Sequence, residues 1–209
     1  MKLNKKLHPL VIATSLVITG MAAPMLAHAE VGYSANISSM YLWRGTDVSD
    51  SKPALSGSID YSHESGLYGG LWISSGDTAS GYEYDVTVGY AGEIGDFGYD
   101  VGYYKYTYPQ TGESLGDAGD EVYLGLSYEP VEFKAYFGDE TKYYTFGAGF
   151  GAFSATYGMT DNDDGADWSH IDLSYSATDN LSFTLSLPSD DGAGISEDEL
   201  MVISYDIPL

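Results

Sequence analysis

The chain has 209 residues, with 31 Asp or Glu against eight Lys or Arg, 20 Tyr, 26 Gly and no Cys. That charge balance excludes a nucleic-acid partner, because a phosphate backbone is approached with Lys and Arg. The absence of Cys excludes disulfide staples and thiolate metal sites, while the regular recurrence of Tyr and Phe excludes a disordered acidic chain.

Residues 1–29 read as a secretory signal peptide. Lys2, Lys5 and Lys6 form a basic start, residues 10–23 are mostly apolar, and Ala27-His28-Ala29 is a small-residue cleavage site. The stretch is shorter than the roughly 18 apolar residues a spanning helix needs. The rest, 30–209, is expected to form one domain, and it keeps only five basic residues against all 31 acidic ones.

From residue 30 onward the dominant signal is a period of two. Tyr82, Tyr84, Val86, Val88 and Tyr90 alternate with Glu83, Asp85, Thr87 and Gly89, which describes a strand with one apolar and one polar face. The same alternation predicts twelve strands, at 32–43, 54–63, 67–74, 81–90, 97–106, 120–128, 131–138, 143–150, 152–160, 167–175, 181–187 and 199–207. The apolar phase slips at Glu129-Pro130 and at Gly151-Ala152, where tight turns belong. Short connections (64–66, 91–96, 129–130, 151, 177–180) alternate with generally longer ones rich in Gly, Pro, Asp and Ser (44–53, 107–119, 161–166, 188–198). An even strand count with short turns at one end and longer loops at the other predicts an all-β fold, a single antiparallel, up-and-down transmembrane β-barrel.

Sorting by parity places Tyr33, Ile37, Tyr41, Trp43, Leu55, Ile59, Leu71, Ile73, Val101, Tyr103, Ile171, Leu173 and Leu185 outside, almost without charge. Met40, Leu42, Trp72, Leu200 and Val202 fall on the nominal inner face and break the pattern. A soluble sandwich or lipocalin-like binder is the alternative, but its core calls for more Val, Ile and Leu and less Tyr.

Tyr41-Leu42-Trp43-Arg44-Gly45, Ser49-Asp50, Pro53-Ala54-Leu55, Asp60-Tyr61, residues 66–72 (GLYGGLW), Gly89-Tyr90, Gly95-Asp96 and residues 99–103 (YDVGY) are similar to the TorF-like porin family of proteobacteria. The similarity covers about residues 30 to 140 well and the remainder loosely. It implies an outer-membrane barrel that passes small solutes, and it carries over no catalytic or ligand residue.

Parity puts Asp60, Glu83, Asp85, Asp100, Glu121, Glu132 and Asp172 on the inner face, with Lys134 in the seventh strand and Arg44 near the end of the first. Charges within a membrane segment must face water or one another, so these residues are expected to line a lumen. One reading is an acidic passage that favours cations. The other is that the acids pair with Arg44, Lys134 and hydroxyls to fill a closed interior. Arg44 is the sole arginine and is suited to clamping carboxylates. Lys105 is expected to snorkel toward lipopolysaccharide phosphate. Residues 161–165 (DNDDG) fail as a calcium loop, since the glycine comes one position early and no Glu follows at the twelfth. His63 and His170 have no nucleophile-elbow or metal spacing around them, so neither an enzyme nor a cofactor is expected. The function expected is a passive outer-membrane porin for small hydrophilic solutes, in contact with outer-membrane lipid and lipopolysaccharide. A non-conducting structural barrel is the alternative.

Overall fold

A sheet built from strands of period two leaves a row of unpaired N–H and C=O groups along each outer edge. Here the last strand pairs with the first and removes both edges. The computed structural model describes residues 29–112 and 119–209, so the signal peptide expected at 1–29 lies outside the described residues but for Ala29.

The elements are β1 (Glu30–Ser38), the two-residue strands β2 (Leu42–Trp43) and β3 (Thr46–Asp47), then β4 (Ala54–Ser62), β5 (Leu67–Asp77), β6 (Gly81–Ile94) and β7 (Phe97–Thr107). A short 3-10 turn (Pro109–Thr111) precedes β8 (Asp120–Tyr128), β9 (Val131–Phe137), β10 (Thr141–Phe150), β11 (Phe153–Asn162), β12 (Asp167–Ser176), β13 (Leu181–Asp191) and β14 (Leu200–Asp206). All but β2 and β3 form one closed antiparallel barrel of twelve strands, each paired with its neighbour in sequence except at the seam between β1 and β14. The strand count and architecture are those the alternation predicts.

The pleat sorts the side chains as expected. Ile59, Leu71, Val88, Val101, Ile171, Leu173 and Ile203 are exposed on the outer surface, while Glu83, Asp85, Thr87, Thr184 and Ser186 are buried inside. A soluble monomer rarely shows a contiguous apolar patch beyond roughly 600 Å², whereas these residues stand on strands all round the barrel. The interior is not uniformly open: Thr87, at mid-strand, is 1% exposed. Ser34, near the end that carries the short turns, remains exposed.

The first strand departs from the expectation. It ends at Ser38 instead of continuing to residue 43, and Ser39 N–H makes the last ladder bond, to the Ile203 carbonyl at 2.8 Å. Residues 39–53 then leave the wall and fold into the barrel around the β2–β3 hairpin. Tyr41 and Trp43, expected to face outward, therefore point inward, and Tyr41 and Leu42 are buried. The longer extents of β6 and β13 absorb residues expected to be loop, including 91–94 and 188–191. In β5 the register shifts between Ser74 and Asp77, so that Gly76 lies beside the hairpin, where an added Cβ would fall 2.8 Å from Tyr41. Only a glycine leaves room for the tyrosine there.

Candidate functional site

The hairpin is held by polar groups of its own and of the wall. Within it, Val48 N–H bonds the Tyr41 carbonyl at 3.0 Å and Ser49 Oγ accepts the Tyr41 N–H at 2.8 Å. Arg44 and Gly45 take left-handed backbone conformations, with φ of 47° and 81°, which reverse the chain. The Gly45 Cα packs against the His170 ring with no space for a Cβ. From the hairpin, Tyr41 Oη donates to Glu83 Oε2 at 2.7 Å, and Arg44 Nη2 lies 2.7 Å from both oxygens of Glu121. From the wall, Trp168 Nε1 donates to the Arg44 carbonyl at 2.8 Å.

The acids assigned by parity divide into two levels. Glu83, Asp85 and Glu121 lie at the hairpin end. Glu83 accepts from Tyr41 and, at 2.8 Å, from Tyr108. Glu121 accepts from Arg44 and, at 2.7 Å, from Tyr106. Asp85 is 1% exposed and meets no donor among the described residues. Asp60, Asp100 and Glu132 lie toward the short-turn end, all partly exposed. Asp60 accepts from Ser58, Asp100 from Tyr68 at 2.7 Å, and Glu132 lies 3.3 Å from Lys134 of its own strand. Asp172 sits between the levels and bonds His170 Nδ1 at 3.0 Å, while His170 Nε2 meets Tyr143 Oη at 2.9 Å. The structure thus brings Arg44 to Glu121 and divides the seven carboxylates between levels, in no single ring. Lys105 lies 3.4 Å from Asp120 across the β7–β8 pair.

Sequence reading missed the aromatic content of this interior. Tyr104, Tyr106, Tyr123, Tyr136 and Tyr143 form a continuous inner patch on β7 to β10, with ring centroids 5.0 Å apart for Tyr123 and Tyr136 and 5.7 Å for Tyr136 and Tyr143. Asp206, bonded to Asn36 Nδ2 at 2.8 Å, was also missed. Parity would have found both, since Tyr104 and Tyr106 share the phase of Asp100, and Asp206 alternates with Tyr205. Between hairpin and wall lies a cavity of about 300 Å³, lined among others by Trp43, Arg44, Glu83, Tyr106, Glu121 and Glu140.

Asp47 anchors the return of the hairpin. Its Oδ1 accepts from Ser49 N–H at 2.9 Å and Oγ at 2.8 Å, and its Oδ2 from Ser51 N–H at 2.6 Å and Oγ at 3.1 Å. Partial burial alone would raise its pKa, but these four bonds to the charged form prevail and hold it below the ordinary carboxylate value. A depressed pKa contributes stability above the unfolded value, about 3.9, and loses it as pH falls through the folded one. Fluorescence of Trp43, 6.3 Å from Trp168, should accordingly stay flat from neutral pH down to about 5 and change only in stronger acid. Asp47→Asn should remove that component. An acid transition of equal size in the variant would assign it to other carboxylates.

Several known proteins are similar to this chain. The model of the Gcw_chp family, described as a bacterial protein of unknown function, matches residues 22–186. Solved structures with a similar backbone include a KdgM porin, at 9% identity, 85% of this chain and 96% of that chain covered, and a TM-score of 0.48. Outer-membrane phospholipase A from Escherichia coli matches at 12% identity over 90% of this chain and 93% of that chain, with a TM-score of 0.45. An outer-membrane channel from Pseudomonas putida F1 matches at 13% identity over 91% and 98% respectively, with a TM-score of 0.37. No curated protein matches.

Proposed function

This chain belongs to the Gcw_chp family of bacterial proteins, whose description names no function, and from its lumen we propose an outer-membrane pore whose mouth is closed by its own first loop. The docked β2–β3 hairpin carries this reading: a loop of 15 residues, 39–53, leaves the wall and occupies the lumen while the barrel itself stays closed without it. The apolar outer face supports a bilayer setting, because a closed barrel satisfies its own backbone and leaves side chains alone to meet lipid. The similarity of residues 30–140 to TorF-like porins points the same way, and that affiliation is part of the proposal. The export signal expected at 1–29 and contact with lipopolysaccharide belong to it as well.

The solutes proposed are small and hydrophilic, with cations preferred. Of the lumen acids, Asp60, Asp100 and Glu132 are partly exposed and face Lys134 alone, since Arg44 is already neutralised by Glu121. Fixed negative charge in a narrow passage concentrates cations and repels anions until salt screens it, at a Debye length of about 3 Å near 1 M. Under a KCl gradient the reversal potential should indicate cation preference, stronger at low salt. Asp60→Asn with Asp100→Asn should reduce it, since both sit in the more open part of the lumen. Unchanged selectivity in that double variant would place the filter at the hairpin.

A closed structural barrel is the second reading, favoured by the packed interior around Asp85, Thr87, Thr160 and Ser186, all at most 1% exposed. Absence of conductance both in the intact chain and after removal of residues 40–50 would decide for it. A hydrolytic reading has little to stand on, because the Tyr143–His170–Asp172 chain is sealed from solvent.

A further inference from the structure

The Arg44 guanidinium sits in a cage that the barrel wall builds without it. Tyr106 of β7, Glu121 of β8, Tyr136 of β9 and Tyr143 of β10 come from four adjacent strands. The Glu121 carboxylate meets Nη2 through both oxygens at 2.7 Å and is steadied by the Tyr106 hydroxyl. The Arg44 Cζ lies 4.4 Å from the Tyr143 ring centroid and 5.6 Å from that of Tyr136, with Trp43 of the hairpin at 4.7 Å. Ring faces on one side and a carboxylate on the other suit a flat, weakly hydrated cation that can stack and donate at once. A compact ammonium uses the charge and forgoes the stacking. The cation arrives on a short tether, from a residue whose left-handed backbone is uncommon for anything but glycine, Asn or Asp. The adjoining cavity of about 300 Å³, which reaches Asp139 and Glu140, gives the cage a way in from the loop end.

We propose that this cage is a receptor site for soluble guanidinium compounds, that Arg44 occupies it as a tethered stand-in, and that such a solute displaces the hairpin by competing for Glu121, Tyr136 and Tyr143. The inference deepens the reading of a plugged pore by naming a ligand class for the plug's own site. Its binding arm does not depend on conduction.

Arg44→Gly empties the cage and keeps the required backbone conformation; Arg44→Asn, which also tolerates that conformation, is the second variant. Methylguanidinium is the probe and methylammonium the control, in detergent, read by titration calorimetry and by the fluorescence of Trp43 and Trp168. Folding is checked by the different gel migration of boiled and unboiled barrels. Methylguanidinium should bind either variant at least about tenfold more tightly than it binds the intact protein, and about tenfold more tightly than methylammonium. Adding Glu121→Gln should abolish the difference. Equal binding to variant and intact protein, equal binding of the two cations, or indifference to Glu121→Gln would each overturn the proposal. If neither variant folds, the intact protein decides it: methylguanidinium, but not methylammonium, should speed hydrogen exchange at the Tyr41 and Val48 amides, and equal rates overturn it. Binding without conductance would leave the cage standing and remove the pore.

Discussion

Replacing Glu121 by Ala should release the β2–β3 hairpin and speed hydrogen exchange of the Tyr41 and Val48 amides by about a hundredfold or more. Both partners of the ion pair are buried, with side chains 7% and 8% exposed. Removing one partner of such a pair costs about 3–5 kcal/mol, because the remaining charge stays desolvated without compensation. Arg44 is on a loop and can return to water, so the cost should appear as undocking and not as loss of the barrel. Opposing release are the bonds from Tyr41 to Glu83, from Trp168 to the Arg44 carbonyl and from Thr78 N–H to the Val48 carbonyl at 3.0 Å, about 1.5–3 kcal/mol for the first, which ends on a carboxylate, and about 0.5–1.5 kcal/mol for each of the others. Exchange at the rate of the intact protein would show that the remaining bonds hold the hairpin without the ion pair. Conductance, recorded on the same variant, should rise if the undocked hairpin uncovers a passage.

The second large effect concerns the outer face. Val88 is 54% exposed at the middle of β6, paired with Gly69 on one side and Tyr103 on the other. Val88→Arg places a charge where lipid is proposed to lie and should cost about 2–4 kcal/mol, the range for arginine at a bilayer midplane. Urea unfolding of the barrel in vesicles would measure it. Ser34→Arg, on the opposite face at the open short-turn end, should change stability little. Thr87→Arg differs from both, since Thr87 faces inward but is fully packed, so an arginine there should also be damaging. A harmless Val88→Arg would mean that the outer belt does not meet hydrocarbon.

The contrast among these three positions shows what alternation discloses. A period of two states which side of the wall a residue is on, and it does so for Glu83, Asp85, Asp100, Glu132 and Asp172 as for Val88 and Val101. It does not state what fills the space inside. Tyr occupies both phases, as in Tyr103 and Tyr104 or Tyr143 and Tyr144, so the inner aromatic patch is indistinguishable from an outer girdle by composition. The hairpin escapes the pattern for a related reason. Tyr41 and Trp43 continue the odd phase of Tyr33 and Ile37, while Met40 and Leu42 put apolar residues on the even phase just past the end of the ladder at Ser38. The stronger sign is Arg44-Gly45, the one arginine of the chain followed by a residue free to turn, placed within what looks like lipid-facing sequence. A charge there contradicts a wall strand, and its resolution is that the wall has already ended.

The seam between β1 and β14 bears on how such a chain acquires its shape. Every other barrel pairing joins strands adjacent in the barrel's own sequence order and can form as a local ribbon, at small loop-closure cost. The seam joins Asn36 to Asp206, 170 positions apart, through the short register Asn36↔Asp206, Ile37↔Tyr205 and Ser38↔Ser204. It closes only when the ribbon has curled through a full circuit, so its loop-closure cost is the largest in the wall. It is also the narrowest join in the wall, since β1 pairs with β4 along its whole length from Glu30 to Ser38. Because Ser39 N–H donates its ladder bond to Ile203 at the head of this join, the loop that enters the lumen hangs from the point where the circle is completed, and the hairpin and the closure of the circumference share one anchor.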